Sequence, residues 1–524
     1  MYQQEISSEN QQTIESIAII DFGSQVCHLI AKKIRNLGIH SIIVPNTISL
    51  VELKKQKIVG IILSGGPSSI YEKDAPKLQF NLNDVKVPIL GICYGHQLIA
   101  NELGGKVLSS DKREYGTQQL TIKRKDKLIS GLEDRQLVLM SHGDRVEEIP
   151  VGFDVLASTE TCKYAVMVNE DKKIYSVQFH PEVTHTPNGM SIFENFVNLC
   201  SISQKWDLQS KPEEIIKELK ETIDKPVLMA VSGGVDSTVA ATLIAKAVPD
   251  LLYCIFVNTG LLRFHEAEEV QEKFSSLFKN FVYVDATELF IKKLKGITDP
   301  EQKRKIIGNT FIEVFEEETV KLKELGWEFK YLGQGTIYPD RIESSQPSKT
   351  SHVIKTHHNV GGLPERMKLS LVEPLKEFYK DEVRELGKQL GVDQDLLDRK
   401  PFPGPGLGIR ILGEITKKRI EVLQKADYIF TQELRKIIEW KNLWQAFAVL
   451  LPVKTVGVMG DMRTYEEVCA LRVVSSINAM TADVPELPFN VIQKVANKIV
   501  NEVDGINRVV LDVTGKPPAT IEWE

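Results

Sequence analysis

The chain has 524 residues, of which 42% are hydrophobic and 26% are charged, and its formal net charge is −6 at pH 7. This length and composition are typical of a globular protein with about three or four domains. The slightly acidic charge balance argues against a dominant nucleic-acid-binding surface, and no apolar stretch of the sequence is long enough to span a bilayer.

The six cysteines are scattered singly, and none belongs to a Cys-X-X-Cys pair. This spacing suits neither a disulfide framework nor a structural zinc site, and it favours a reducing cytoplasm. Residues 1–13 are polar and lack the apolar segment of a secretory signal, so we expect a loose tail there. We expect neither a nucleic acid nor a membrane as a partner.

Strand-like apolar runs alternate with amphipathic helical segments through the first two thirds of the chain, in one series from residue 16 and a second from about residue 226. Such alternation predicts parallel sheets with helices on both faces, and ligands of such sheets bind at the carboxyl ends of the strands. The last third combines a long helical segment with β-rich pieces. We therefore predict two consecutive doubly wound α/β domains with parallel sheets, followed by a smaller α+β domain.

Two stretches are candidate domain junctions. Residues 198–214 are polar and lack periodicity, and residues 399–408 contain three prolines and three glycines, which exclude a regular element. The predicted domains are 16–203, 204–400 and 401–524.

A cysteine lies on a predicted strand–turn–helix segment, in the G-X-C-X-G pattern of Gly91, Cys93 and Gly95. The following helix N-terminus favours a thiolate. His180 and Glu182 stand at strand spacing, so both can face one side and complete a thiol–imidazole–carboxylate triad. The elbow alone fits a buried core thiol equally well; the His-Pro-Glu element and a Gly-Gly-Pro turn favour catalysis.

The oxyanion donors of such a site would be the backbone N–H groups of Gly66 and Tyr94. These motifs resemble the class I glutamine amidotransferases over roughly residues 16–200. The resemblance implies that glutamine is the substrate and ammonia the product. It also implies a set of glutamine-binding candidates, of which those in the "SHGDRV" stretch are the weaker: Gln97, Ser141, His142 and Asp144.

The segment "VSGGVDSTVA", residues 231–240, follows a strand-like run and offers consecutive N–H groups, hydroxyls and a helix N-terminus. These features predict a phosphate-binding nest, although a ligand-free glycine turn has two adjacent glycines as well. The segment lacks the lysine of the G-X-X-X-X-G-K-[ST] loop, which argues against γ-phosphoryl transfer. We expect Asp236 to help hold Mg²⁺.

The Ser-Gly-Gly-X-Asp-Ser pattern resembles the loop of the ATP pyrophosphatases, which cradle pyrophosphate while a substrate oxygen attacks the α-phosphorus. The implied ATP-binding residues are Ser232, Gly233, Gly234, Val235, Asp236, Ser237, Thr238, Val257, Gly333 and Lys376. Lys380 is expected on a solvated helix face. Residues 354–364 suit a mobile lid over phosphates, with Lys355, His357 and His358, and a metal site at the two adjacent histidines is disfavoured.

The stretches 401–414, 454–472 and 511–524 resemble the carboxyl-terminal domain of the GMP synthetase family. The resemblance implies that ATP adenylates the 2-oxygen of xanthosine monophosphate (XMP), that ammonia then displaces AMP, and that this domain forms a homodimer. The implied XMP-binding residues are Arg263, Asp461, Lys516, Ile521 and Glu522. Residues 297–311 are predicted to be helical from the Asp299–Pro300 start, with no assigned contact.

Three other interpretations fit less well. A glutamine-dependent NAD synthetase usually carries a nitrilase-type Glu–Lys–Cys amidase, which the Cys93–His180 pattern contradicts. A tRNA-thiolating enzyme would show a basic surface and paired cysteines. A silent nucleotide-binding regulatory module would lack the triad or Asp236, and both are intact.

Overall fold

The computed structural model describes residues 14–24, 26–345, 369–436, 442–476 and 481–524, without the side chains of 110–113, 343–345 and 459. The described residues divide into two compact units, one ending at Asp207 and one beginning at Leu208. Within these ranges no helix is both long and apolar enough to cross a membrane.

The first unit is built on a nine-stranded sheet in the order β2-β1-β3-β4-β9-β8-β7-β5-β6. Its strands are β1 Ser16–Asp21, β2 His40–Pro45, β3 Ile58–Leu63, β4 Ile89–Ile92, β5 Lys106–Ile122, β6 Arg135–Glu148, β7 Asp154–Ser158, β8 Val166–Asn169 and β9 Ile174–Val177. Its helices are α1 Cys27–Asn36, α2 Leu50–Lys55, α3 Tyr94–Glu102 and α4 Gly189–Leu199.

The predicted parallel sheet accounts for only part of this unit. The strands β2, β1, β3, β4 and β9 pair in parallel, and the apolar runs of β1, β3 and β4 are buried as expected for a sheet covered on both faces. The strands β5 to β8 form an antiparallel arm that pairs with β9 through β8. The sheet is therefore mixed.

The second unit contains a five-stranded parallel sheet in the order β12-β11-β10-β13-β14. Its strands are β10 Val227–Ala230, β11 Leu252–Asn258, β12 Asn280–Asp285, β13 Tyr331–Gly333 and β14 Ser370–Val372. Its helices are α5 Lys211–Thr222, α6 Val235–Ala247, α7 Glu266–Leu277, α8 Thr287–Leu294, α9 Pro300–Glu324, α10 Tyr338–Ser345, α11 Lys380–Gln389 and α12 Gln394–Leu397.

The same unit continues with a three-stranded sheet, in which β15 (Gln445–Met459) and β16 (Met462–Val474) form an antiparallel hairpin. The third strand, β17 (Ile506–Asp512), runs parallel to β16. Helices α13 (Lys417–Arg435) and α14 (Phe489–Glu502) complete this part of the fold.

One hydrophobic cluster spans both sheets of the second unit. It includes Phe290 and Phe315 from helices beside the five-stranded sheet, and Phe430 and Leu471 from the three-stranded region. The proline- and glycine-rich stretch between them is packed as well, because Leu407 is fully buried and its N–H donates to Leu261 O at 2.7 Å. Residues predicted to belong to two domains thus share one core, and a boundary at residue 400 stays a prediction.

Candidate active sites

Cys93 lies on a sharp turn between β4 and α3, with φ of 52° and ψ of −102°. A Cβ on Gly91 would lie 2.7 Å from Gly95 O and 2.5 Å from Ile99 Cδ1, so the turn requires glycine there. The Cys93 N–H donates to Val177 O at 2.9 Å, which fixes the turn beside β9. The sequence pattern thus forms a nucleophile elbow, with the thiol before the N-terminus of a helix.

His180 and Glu182 lie at this elbow. His180 Nδ1 is 2.7 Å from Glu182 Oε1, and the Glu182 carboxyl group is fully buried. The imidazole also hydrogen-bonds with the Cys93 thiol. A carboxylate only accepts hydrogen bonds, so His180 Nδ1 carries a proton. The other ring nitrogen is left for the hydrogen bond with the Cys93 sulfur. The structure therefore assembles all three predicted triad members, in what we call the elbow site.

The charge state of His180 follows from its neighbours. Burial lowers the pKa of the imidazole, but the charges of Glu182 and Cys93 and the hydrogen bonds to both outweigh burial and raise the pKa well above its ordinary value. The raised pKa favours the imidazolium form of His180, which can give a proton to a leaving amine.

The two predicted oxyanion donors flank the elbow. A Cβ on Gly66 would lie 2.8 Å from Phe22 O, so the chain passes too closely for a side chain there. The Tyr94 ring packs against Phe22, and its hydroxyl donates to Pro76 O at 2.7 Å. Neither the Gly66 nor the Tyr94 backbone N–H donates to an acceptor in the part of the chain that the structure describes. Both groups are available for an anionic oxygen.

Strand β6 brings the predicted glutamine-side residues to the elbow. Ser141 O lies 3.6 Å from Cys93 Sγ, and Gln97 Nε2 donates to Asp144 O at 2.7 Å. His142 Nδ1 also donates to Asp144 O, at 3.0 Å, and Asp144 Oδ2 accepts from Ser69. Burial lowers the pKa of His142 to about 4, so this ring is neutral.

Sequence reasoning missed Ser69 and Glu114 in this site. Glu114 is buried, and its Oε2 lies 3.1 Å from His142 Nε2. Burial raises the pKa of Glu114. In the sequence, each of these residues is only a polar side chain next to a predicted strand, and such side chains are common on protein surfaces.

The second candidate site, the loop site, lies between β10 and α6. Gly233 has φ of 75°, and a Cβ there would meet Arg399 Nη1 at 2.9 Å. The hydroxyls of Ser232 and Ser237 lie 3.2 Å apart, and Thr238 Oγ1 donates to Gly234 O at 2.7 Å. The Ser232 and Gly234 N–H groups donate to the Ser237 and Ser232 hydroxyls, each at 3.3 Å, so the chain curls around the start of α6, where a helix N-terminus favours an anion.

The predicted metal ligand, Asp236, has an unforeseen partner. Lys380 Nζ, at the first residue of α11, donates to Asp236 Oδ2 at 2.9 Å. The expectation that Lys380 is a solvated helix residue is therefore wrong, because α11 begins beside the loop. Lys376, the predicted phosphate contact, is half-buried and forms no ion pair with any described residue.

Asp236 Oδ1 is buried, and no described residue hydrogen-bonds to it. An unsatisfied buried carboxylate oxygen fits a site for a hard cation. Among the described residues, however, no group of three or more His, Cys, Asp or Glu side chains could hold a metal alone. A cation here would need ligands from a bound phosphate.

Other predicted ATP contacts lie beside this loop. Val257 and Gly333 lie at the carboxyl ends of β11 and β13, the two neighbours of β10. Sequence reasoning missed Arg399, whose Nη1 donates to Gly233 O at 3.1 Å and which also pairs with Glu266. The candidates Lys355, His357 and His358 lie outside the described residues.

Three of the predicted XMP-binding residues come together. Arg263 lies over the Phe402 ring, with its guanidinium carbon 4.8 Å from the ring centroid, and its Nε and Nη2 are buried without a hydrogen-bond partner among the described residues. Burial lowers the pKa of Arg263, against the opposing effect of Asp427. Ile521 packs in a small cluster with Phe447, and Glu522 lies near enough to affect the Arg263 charge.

The structure does not bring Asp461 to this cluster. Asp461 is exposed at the tip of the β15–β16 hairpin, about 36 Å of strand from Arg472. Strand β17 ends beside Arg472, so the residues that follow β17 begin at the end of the sheet opposite the hairpin tip. Lys516 lies among these residues, and its N–H and C=O pair with Ala482.

Known proteins resemble the chain over nearly its whole length. Residues 18–200 match the family described as glutamine amidotransferase class-I, and residues 432–523 match the GMP synthase C terminal domain. A GMP synthase (glutamine-hydrolyzing) from Brachyspira hyodysenteriae is 51% identical over 98% of this chain and 100% of its own length. The enzymes of that name from Aquifex aeolicus and Maridesulfovibrio salexigens are 53% and 52% identical, each over 97% of this chain and 99% of its own length.

Proposed function

The chain belongs to the family of glutamine-hydrolyzing GMP synthases, and from this premise we propose how its residues divide glutamine-dependent GMP synthesis between two sites. The elbow site releases ammonia from glutamine. The loop site activates XMP with ATP. The observation that carries the proposal is the assembled contact of Cys93, His180 and Glu182, in a chain whose second unit separately carries a glycine-rich turn at the start of α6.

At the elbow site, the Cys93 sulfur attacks the side-chain carbonyl carbon of glutamine. The oxygen becomes an anion, which the N–H groups of Gly66 and Tyr94 stabilise. One such donor is worth about 100- to 1,000-fold in rate. The carbon–nitrogen bond then breaks, and the His180 proton leaves with the ammonia. Water, deprotonated by His180, releases glutamate from the thioester and restores the thiol.

At the loop site, the 2-oxygen of XMP attacks the α-phosphorus of ATP, and the bond to the β-phosphate breaks. Residues 232–238 bind the departing pyrophosphate through backbone N–H groups and hydroxyls, which supports α–β cleavage. Ammonia then attacks carbon 2, and AMP leaves with the former XMP oxygen. The acceptor oxygen becomes a good leaving group only once it is an adenylate.

We propose that Lys380 supplies the cation that the loop lacks. Its ammonium lies 2.9 Å from Asp236, at the mouth of the nest, and its side chain is 34% exposed. A polyphosphate on the loop would bring competing anionic oxygens within reach of this ammonium. Asp236 would then be released to help hold Mg²⁺, which neutralises phosphate charge when bound.

Arg263, Ile521 and Glu522 form the proposed XMP pocket. The supporting observation is that Arg263 Nε and Nη2 are buried and donate no hydrogen bond to a described residue, with Asp427 Oδ2 3.8 Å from Nε, because buried guanidinium donors are costly unless an acceptor satisfies them. A nucleotide phosphate or a xanthine oxygen would supply that acceptor. Lys516 and, from a partner chain, Asp461 remain further candidates.

The assembly is proposed to be a homodimer formed through residues 401–524, after a glutaminase domain at 16–203 and an ATP pyrophosphatase domain at 204–400. The β15–β16 hairpin supports this, since it exposes Val456, Val458, Met462 and Tyr465. Clustered apolar side chains on a strand ribbon are typical of an interface. The six cysteines form no disulfide, which supports a reducing cytoplasm as the setting.

The test incubates the chain with ATP, Mg²⁺, XMP and glutamine and quantifies all phosphate-containing products. The proposal expects one AMP and one pyrophosphate for each GMP, and one glutamate. If ADP and inorganic phosphate accumulate in step with GMP, the loop site does not cleave the α–β bond and the proposal fails.

A further inference from the structure

The first turn of helix α9 contains a fully buried lysine, Lys303, and lysine is rarely buried without a partner. Lys303 Nζ donates to Ile411 O at 2.7 Å and to Glu524 Oε2 at 2.5 Å. The next residue, Arg304, donates to the backbone oxygen of the same Glu524. Two consecutive residues of α9 therefore bind one residue more than 200 positions further along the chain.

Two buried arginines bind the same segment from other directions. Arg410 Nη2 and Nε donate to the two carboxylate oxygens of Glu522, at 2.8 and 3.0 Å. Arg472 donates to the backbone oxygens of Thr514 and Thr520, at 2.5 and 3.0 Å. We call residues 513–524 the tail. The four basic residues that bind it, the clamp, are Lys303, Arg304, Arg410 and Arg472.

Backbone hydrogen bonds between Lys516 and Ala482 hold the start of the tail, and the clamp contacts bind the residues from Thr520 to Glu524. The tail forms no helix or strand, and Val513 and Trp523 are 70% and 37% exposed. An irregular, partly exposed segment with few apolar contacts opens easily unless polar contacts fix it. Breaking a buried ion pair on one side leaves an uncompensated charge, so the clamp holds the tail in one position.

The clamp also connects two parts of the second unit. Helix α9 packs against β11, the neighbour of the loop-bearing strand β10. Arg410 instead follows the proline- and glycine-rich stretch, and Arg472 lies on β16, the middle strand of the three-stranded sheet. The tail residues Ile521 and Glu522 lie between these anchors, beside Arg263.

We propose that Lys303 is a positioning residue for the acceptor nucleotide: it anchors Glu524 and so holds Ile521 and Glu522 in register with the ATP-binding sheet. This role rests on the proposed function, because it presumes that the tail binds XMP. Lys303 itself touches neither nucleotide. A shift of the tail by about 1 Å would therefore weaken acceptor binding and adenylation without changing ATP binding.

The test compares Lys303→Met with Lys305→Met, a matched change at an exposed lysine of the same helix. Ammonia serves as the nitrogen source, so that the elbow site is not involved. We expect Lys303→Met to raise the KM for XMP about tenfold or more, the size that small misplacements produce, and to leave the KM for ATP within about twofold of the control. A lower kcat with unchanged KM values would indicate a merely structural role and overturn the proposal.

Glu524→Gln examines the same contact from the tail and keeps the test open if Lys303→Met does not fold. We expect it to raise the KM for XMP in the same way, and the double variant to be no worse than the more affected single variant, because both changes remove one contact. If Glu524→Gln has the same KM for XMP as the control Lys305→Met, the positioning role is refuted. Failure of the unaltered chain to make GMP from ammonia would instead refute the proposed function.

Discussion

The elbow site and the loop site differ in how much of their chemistry the protein assembles by itself. At the elbow, the thiol, the imidazole and the carboxylate already touch, with His180 Nδ1 2.7 Å from Glu182. At the loop, Asp236 pairs with Lys380, and Asp236 Oδ1 has no hydrogen-bond partner among the described residues. A site that uses its own side chain as nucleophile must be preassembled, whereas a polyanion site is completed by its substrate.

Burial also acts on a charged group of the elbow site and on one of the proposed XMP pocket, with opposite net effects on the pKa. It lowers the pKa of His180 and that of Arg263 alike. At His180 the adjacent Glu182 reverses the effect, while the nearest carboxylate to Arg263, on Asp427, is 3.8 Å away and does not. At the elbow, the protein's own Glu182 balances the charge of His180. In the second unit, we propose that the bound nucleotide balances the charge of Arg263.

The largest expected effect separates the two sites completely. Cys93→Ala removes the nucleophile, so glutamine-dependent GMP synthesis should fall by at least about 1,000-fold, as in other nucleophile deletions. Ammonia-dependent synthesis should stay within about twofold of normal. Cys162→Ala, at another buried thiol, is the control. Equal loss with both nitrogen sources would contradict the division into two sites.

Asp236→Asn should produce the converse pattern. The variant keeps the shape of the side chain but removes the charge that is proposed to hold Mg²⁺, so release of AMP and pyrophosphate should fall about 100-fold or more, the scale of losing an electrostatic contact to the reacting group. Hydrolysis of glutamine should continue. Asp250→Asn, at an exposed aspartate, is the matched control. Normal adenylation by Asp236→Asn would remove the carboxylate from the mechanism.

Lys380→Met tests whether the loop obtains its cation from α11. Loss of one charge-assisted contact to phosphate should raise the KM for ATP about tenfold, with a smaller change in the KM for XMP. Lys388→Met, at an exposed lysine of the same helix, should leave both constants unchanged. If Lys376→Met weakens ATP binding and Lys380→Met does not, the original sequence prediction is the better one.

The smallest expected effect is a shift in the pH profile of glutamine hydrolysis. The pKa of His180 is raised, so the imidazolium persists to higher pH in the folded enzyme. Glu182→Gln removes a raising charge, so this pKa should fall, and the alkaline limb of kcat/KM should move to lower pH by about one unit or more. Glu194→Gln, at an exposed glutamate, should not move it. An unchanged limb would mean that the carboxylate does not set the charge of His180.

The sequence predicted the features that depend on neighbouring residues. The turns at Cys93 and Gly233 are local strand–turn–helix units, and glycine spacing alone encodes them. The antiparallel arm β5–β8 was not predicted, since strand pairing depends on contacts between distant segments. Lys380 was misassigned because periodicity predicts which face of a helix a residue lies on, but not which other segment of the chain that face contacts.

The contacts of α9 are even harder to predict from local sequence patterns. Its helical start at Asp299–Pro300 was predicted, and Asp299 does cap it by accepting from the Gln302 N–H. The partner of Lys303 is 221 residues away, so no pattern within the segment identifies it. The position of Asp461 at a hairpin tip likewise follows from strand register.

The central claim is that the lysine-free loop directs cleavage between the α- and β-phosphates, with the XMP oxygen as the attacking atom. The most direct measurement follows oxygen-18 from the 2-position of XMP through one round of synthesis with ATP, Mg²⁺ and ammonia. Our account predicts that the label appears in the phosphate of AMP, with none in pyrophosphate. Label in inorganic phosphate together with ADP, or unlabelled AMP, would contradict it.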